Sequence, residues 1–150
     1  MEAERWKVFL DTSALIAGIV SANGAAREVL RLCEAGAVEL LVSRQVLIEA
    51  DRNLSAKLPA LVPDYRYLMQ RMSPTLVEDP TQEEVAQAVR VIHHKDAPIL
   101  AAAISAEVDY LITWNTKHFH ASSVIRVVCF RIVTPGGFLE EFRRLLSANT

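Results

Sequence analysis

"WKVFLDTSALIAGIVS", Trp6 to Ser21, changes its pattern at a single acidic residue. "WKVFLD" is apolar and rich in β-forming residues, as a short buried strand requires. "TSALIAGIVS" reads as a helix, with Thr12 or Ser13 available to cap it. A strand that passes directly into a helix is the opening of the unit from which parallel sheets are built. Two questions follow: whether the rest of the chain repeats this pattern, and what Asp11 does at the junction.

The pattern repeats. Asn23-Gly24 breaks the first helix, and "AAREVLRLCEAG" has helical spacing with a stop at Gly36. "VELLVS" gives a second strand, and Ser43 is placed to cap the helix "RQVLIEADRNLSAKL". Pro59 and Pro63 bracket a break before a helix at "DYRYLMQRM", and "SPTLVEDPT" is a connector with strand character at Thr75–Val77. "TQEEVAQAVRVIHH" opens with a capping box, Thr81 with Glu84 three residues on. In "KDAPILAAAISAEV" Asp96 is placed to cap an apolar helix, with Pro98 in the first turn where it is tolerated. "YLIT" and "FRIVT" are two further strands, and Pro135 opens a last helix, "GGFLEEFRRLLS". Short apolar strands alternating with helices indicate an α/β fold with a parallel sheet. No repeat, low-complexity tract or linker divides the chain, so residues 1–150 are read as one domain.

A chain of 150 residues is long enough to bury a real core. It is 51% hydrophobic and 23% charged, which is ordinary for a soluble globular protein. No apolar run approaches the roughly 18 residues of a membrane helix, and "MEAERWKVFLD" lacks the features of a signal peptide. Cys33 and Cys129 form neither a CxxC pair nor a disulfide framework, so a reducing cytoplasm is the expected compartment. Lys and Arg total 16 against 18 Asp and Glu, a net charge of −2. Bulk charge therefore gives no support to nonspecific nucleic-acid binding. A phosphate ligand would have to be held locally, by a basic patch or by metal ions.

In open parallel sheets, ligands bind beyond the carboxyl ends of the strands. The first strand ends in Asp11-Thr12-Ser13, and the second leads into the helix that carries Glu49. A later strand ends at Thr113 and runs on to Asn115, and Asp96 begins the helix just before it. Each acid has a plain alternative. Asp11 and Asp96 are helix caps by type, the latter worth at most about 1 kcal/mol on an exposed end. Glu49 is within reach of Arg52, although "VLIEA" is an apolar setting for an isolated carboxylate. Taken together, three carboxylates on one rim repel each other and require a cation. Hard oxygen ligands select Mg²⁺ or Mn²⁺. Such an ion lowers the pKa of a bound water and offsets charge on a phosphodiester under attack.

"VFLDTSALI", "ELLVSRQVLIEA", "KDAPILAAAISAEVDYLITWNTKHF" and "RIVTPGGFLEEF" resemble, in that order, the signature segments of the PIN domain family. That family includes the toxin ribonucleases of bacterial and archaeal toxin–antitoxin modules. The resemblance covers nearly the whole chain and is least informative over residues 53–91. It implies a three-layer α/β/α sandwich around a central parallel sheet, with a metal-dependent site that hydrolyses RNA. The family's first aspartate falls on Asp11, its helical glutamate on Glu49, its later aspartate on Asp96 and its strand-end hydroxyl on Thr113. By this analogy Asp11 and Asp96 hold Mg²⁺ or Mn²⁺ directly, and Glu49 does so directly or through water. Ser13 and Thr113 orient the carboxylates or bound water. The resemblance also implies an RNA substrate, a protein antitoxin and a homodimer; no membrane partner is expected, because no apolar run is long enough to span one.

The family often has a fourth acid where this chain has Asn115. An asparagine offers a carbonyl oxygen and an NH₂ group but no charge, so a second ion is expected to bind more weakly. Asp109 does not replace it: in an extended strand it lies on the order of 13 Å from Thr113, and it reads as a turn residue. The missing charge keeps open a catalytically weak PIN domain that acts as an RNA- or protein-binding module. A phosphatase with Asp11 as nucleophile is a further alternative; such sites usually carry a second aspartate where this chain has Ser13. His93-His94 and His118-x-His120 do not match the usual spacing of a zinc site. Lys117 and His118 read as surface residues or as contacts to RNA phosphate. Arg27 and Arg31 read as a solvated helix face with Glu28 and Glu34 in reach. Trp6 reads as a packing residue, and Trp114, beside the proposed site, is the better candidate for base stacking.

Overall fold

In the computed structural model, the strand that opens the sequence is the centre of the sheet. The structure describes residues 5–148; residues 1–4 and 149–150 of the one-domain span lie outside the described residues. The five strands run in the order β3 (Thr75–Leu76), β2 (Val38–Val42), β1 (Trp6–Leu10), β4 (Tyr110–Ile112) and β5 (Arg131–Val133). Every neighbouring pair is parallel, with Val8 opposite both Leu40 and Tyr110, and Leu10 opposite Ile112. Val8, Phe9 and Leu10 are all fully buried. Consecutive strand residues point to opposite faces, so both faces of the sheet are covered. That is the requirement of a parallel sheet, and it makes the molecule a three-layer α/β/α sandwich.

Among the described residues the cover is nine α-helices: α1 (Thr12–Val20), α2 (Ala25–Glu34), α3 (Arg44–Lys57), α4 (Val62–Met72), α5 (Gln82–Val89), α6 (Ala97–Ser105), α7 (Thr116–Phe119), α8 (Ser122–Ile125) and α9 (Pro135–Ala148). A 3-10 turn, Pro59–Leu61, joins α3 to α4. No described helix is long and apolar enough to cross a membrane.

The order of the strands decides where a ligand can bind. The chain moves outward from β1 through β2 to β3, then returns to the other side of β1 for β4 and β5. The strand order therefore reverses between β1 and β4, and a crevice forms outside the carboxyl ends at such a reversal. The ladder continues one residue past both strands. Asp11 N–H donates to the Ile112 carbonyl at 3.2 Å, and Thr113 N–H donates to the Val133 carbonyl at 3.0 Å. Asp11 and Thr113 thus stand at the reversal point.

Packing explains several residues that carry no chemistry. Trp6 lies against Tyr110, Phe138 and Phe142, with ring centroids 5.1, 6.3 and 6.3 Å away, which seats α9 on the sheet as the packing reading expects. A Cβ on Gly18 would come within 2.6 Å of the buried Leu30 side chain, so this glycine allows α1 to approach α2. Arg27 is not a solvated residue: its guanidinium donates to the carbonyls of Gly18 and Ile19 and closes the end of α1. Arg31 pairs with Glu28, as its spacing suggests. Cys33 is buried, Cys129 is exposed, and both thiols are free.

One open choice is decided and two sequence expectations change. The cap of α1 is Asp11 and not Thr12 or Ser13; Asp11 is extended (φ −78°, ψ 177°) and accepts the Ala14 N–H. Asp96 precedes α6 but makes no side-chain cap bond. Its backbone is already helical (φ −92°, ψ −14°), and Pro98 removes one of the two N–H groups that a cap would accept. Pro63 lies inside the first turn of α4 and does not belong to a break before it.

Candidate active site

Asp11 is 4% exposed, and both of its carboxylate oxygens are engaged. Oδ1 accepts from Ser13 Oγ at 2.7 Å and from Ala14 N–H at 2.9 Å. Oδ2 accepts a short bond from Thr113 Oγ1. The two hydroxyls are themselves acceptors: Ser13 Oγ takes the Trp114 N–H at 3.0 Å, and Thr113 Oγ1 takes the Asn115 N–H at 2.8 Å. A hydroxyl has one proton to give, and each spends it on Asp11. The 3.4 Å separation of Ser13 Oγ and Thr113 Oγ1 is therefore proximity and not a further donation. Two hydroxyl relays staple the turn after β4 onto the carboxylate that ends β1. This is why Thr113 can be completely buried at no polar cost.

Burial pushes the Asp11 carboxyl pKa above its ordinary value. The bonds from Thr113, Ala14 and Ser13 pull it back, and the negative charge of Asp96 pushes it up again. Asp96 is thus close enough to be felt electrostatically at the central carboxylate.

Glu49 reaches the same edge from α3. Thr12 Oγ1 donates to its Oε2 at 2.6 Å, and Gln45 Nε2 donates to its Oε1 at 2.8 Å. Arg52 is not its partner. Asp96 has a side chain 19% exposed, and its Oδ2 lies 3.0 Å from His118 Nδ1. Asn115 Nδ2 lies 3.2 Å from that same nitrogen. One nitrogen cannot donate to Asp96 while accepting from an NH₂ group. With the proton on Nδ1, Asp96 is the acceptor and the Asn115 amide must turn its oxygen inward or give up the bond. Asp96 and Asn115 therefore compete for one imidazole atom.

A sequence model of the PIN domain matches residues 7–117, most of the chain. The chain belongs to the PIN domain family. Its fold is shared with PAE2754 from Pyrobaculum aerophilum, at 21% identity and a TM-score of 0.59, over 98% of this chain and 99% of that one. VapBC2 from Rickettsia felis, solved bound to a DNA fragment from their promoter, matches at 16% identity and a TM-score of 0.63, over 85% and 96%. VapC20 from Mycobacterium tuberculosis, a sarcin–ricin loop cleaving toxin, matches at 18% identity and a TM-score of 0.56, over 77% and 95%. At these identities the likeness is one of fold. A search of curated protein sequences finds no match.

Within this PIN domain, hydrogen bonds join Asp11, Ser13, Thr113 and Asn115 into one network. Asp96 and Asn115 both face His118 Nδ1, for which they compete, and Glu49 is bonded to Thr12, next to Asp11 in the chain. Among the described residues, no group of three His, Cys, Asp or Glu side chains is arranged to hold an ion together. Each carboxylate is instead satisfied by its own neighbours. The donor chemistry fits a hard, hydrated cation: Mg²⁺ keeps several waters and is usually bound through one or two carboxylates. A buried carboxylate already burdened by a second negative charge is what such a cation relieves.

The histidines fit zinc poorly. His93 stacks near His94 and His118, with centroids 4.2 and 6.5 Å apart, while His120 is engaged with the Ile132 carbonyl at 2.6 Å. Asp109 accepts the Lys7 N–H at 2.8 Å, before β4 begins, consistent with the turn reading. Thr12, Gln45 and His118 are the positioning residues that sequence reasoning did not assign. Gln45 had a signal, since it stands four residues before Glu49 on one helix face. The other two depend on contacts between distant segments and left no mark in the local pattern.

Proposed function

We propose that this PIN domain is an endoribonuclease that hydrolyses RNA phosphodiester bonds with Mg²⁺ or Mn²⁺, and that it is the toxin of a type II toxin–antitoxin pair. The observation that carries the reading is the buried Asp11 carboxylate at the strand reversal, tied to its neighbours and within electrostatic reach of Asp96. A bound divalent ion would supply an activated water and offset the charge of the phosphate. The chain's own residues do the positioning. An ionised carboxylate has about four acceptor positions; Asp11 Oδ1 fills both of its own, and Oδ2 fills one with Thr113, leaving one position for an ion or its water. Asp96 and Glu49 would complete the rim, directly or through water. Ser13 and Thr113 have spent their protons on Asp11, so neither is a free nucleophile; attack by metal-activated water, as the PIN family resemblance implies, would leave a 5′-phosphate and a 3′-hydroxyl. The phosphatase alternative gains no support, because the Asp11 oxygens are buried and bonded.

The toxin reading is supported by the company of the fold: VapC20 is a toxin that cleaves the sarcin–ricin loop, and VapBC2 is another structural neighbour. A protein antitoxin, a homodimer and a cytoplasmic location go with it. The test is incubation of the purified protein with single-stranded RNA and Mg²⁺ or Mn²⁺. Cutting that EDTA stops and Asp96→Asn abolishes is the expected result. RNA bound but left intact would favour the binding-module reading, which the separately bonded carboxylates and the uncharged Asn115 keep open. Cutting that survives Asp96→Asn would place the activity elsewhere.

A further inference from the structure

Trp114 is the one feature of the rim that the positioning chemistry leaves without a task. Its residue is 51% exposed. Trp6 packs on three aromatic rings, whereas among the described residues no ring, cation or hydrogen-bond acceptor engages the Trp114 indole. A large ring held in water forfeits the burial that normally justifies a tryptophan. Its backbone, however, is anchored. Its backbone N–H donates to Ser13 Oγ at 3.0 Å, and Ser13 Oγ donates to Asp11 Oδ1 at 2.7 Å. Two hydrogen bonds separate the tryptophan backbone from the central carboxylate.

We propose that Trp114 is a stacking platform for an unpaired RNA base close to the scissile phosphate, held at a set distance from Asp11 by the Ser13 hydroxyl. The inference rests on the ribonuclease reading and gives it a substrate subsite. Single-strand binding combines an aromatic face with a local cation. Lys117, three residues on, is exposed and makes no ion pair among the described residues. The residues that follow the ring, Asn115, Thr116 and Lys117, are polar, whereas an aromatic anchor for a protein partner sits among apolar neighbours in a dry pocket. The surroundings therefore favour nucleic acid. Stacking also needs a free π-face, which a base inside a duplex does not present. The platform would make this site choose unpaired nucleotides without reading their edges.

The experiment measures binding of a dye-labelled, unstructured eight-nucleotide RNA by anisotropy in EDTA, where cutting is absent, together with tryptophan emission. Binding should quench the exposed indole, and Trp114→Ala should weaken affinity about tenfold. Trp114→Phe should restore most of that affinity, and a duplex of the same length should compete poorly. The ring is exposed and its backbone bond survives substitution, so both variants should melt like the parent. Equal affinity in Trp114→Ala, no quenching, or equal competition by duplex would overturn the platform. The two readings fail separately. RNA cut with Mg²⁺ but bound equally by Trp114→Ala sinks the platform alone. RNA that quenches Trp114 but is never cut sinks the nuclease and leaves a base-stacking subsite in a binding module.

Discussion

At Asp11 two structural roles fall on one carboxylate, which caps α1 and anchors the turn after β4, and the proposed function adds a third, holding a cation. The first two each need an oxygen acceptor, Oδ1 for the cap and Oδ2 for Thr113, and the third needs the charge. An amide has a single oxygen, so Asp11→Asn should keep the cap but leave the buried Thr113 hydroxyl without its acceptor, lowering the thermal midpoint in EDTA and losing any stabilisation by Mg²⁺ and all cutting. A higher midpoint in EDTA would show that shedding the buried charge outweighs the lost bond. Asn115→Asp asks the converse question. It restores a negative charge on the rim and should tighten divalent-ion binding by roughly tenfold, since one added charge near the surface is worth on the order of 1–4 kcal/mol. An unchanged dissociation constant by calorimetry would show that position 115 does not face the ion. Cys33 gives a test away from the site. Burial pushes its thiol from 9.0 up to about 12. The folded chain holds that proton after the unfolded chain has released it, so the thiol's contribution to stability is present below pH 9.0 and is lost as pH rises towards about 12. At pH 8, an alkylating agent should modify Cys129 alone, and mass spectrometry should find the second adduct only after denaturation.

Elements carry the site only as well as their ends are fixed. Ser43 is 1% exposed, and its Oγ accepts the Val46 N–H at 3.2 Å, where β2 hands over to the helix that presents Glu49. Ser43→Ala should cost about 1 kcal/mol, a drop of roughly 2–4 °C in melting temperature for a chain of this size. No loss would mean that solvent or repacking replaces the cap. Ser43 and the Thr81–Glu84 capping box were legible in the sequence because both are local: the partners lie within four residues. So were the strands, whose apolar runs sit between turn residues. Asp96 shows where that legibility stops. Its type and place announce a cap, but Pro98 withholds a donor and the carboxylate turns to His118, which is 22 residues away. The four-residue helices α7 and α8 are too short to show a 3.6-residue period, so a pattern search passes over them. Asp11 was legible as a candidate because it ends a strand, whereas Glu49, inside α3, and Asp96, before α6, stood out through the family resemblance. Their separate hydrogen-bond partners were not legible, because Thr12–Glu49 and Thr113–Asp11 span 37 and 102 residues.

At the scale of the whole molecule, charge sets the terms on which RNA can approach. The net charge is −2, and the candidate site adds a carboxylate rim that repels phosphate. Many of the arginines are spoken for within the fold: Arg31 by Glu28, Arg66 by Asp51, Arg71 by Glu34 and Arg131 by Glu141. Beside the site, the side chains of Lys95 and Lys117 make no ion pair among the described residues, so about two phosphates can be neutralised there. For a single strand the slope of log K against log salt is about −0.7 per neutralised phosphate. The slope measured in EDTA should accordingly lie between about −1 and −2. Affinity that survives at high salt in EDTA would then come from stacking, which does not release counterions in the same way. Adding Mg²⁺ to an uncleavable analogue should tighten binding, because the ion converts a repulsive rim into an attractive one. A slope steeper than about −4 would require more phosphate contacts than these two lysines provide, and would overturn the two-lysine account of how RNA is held.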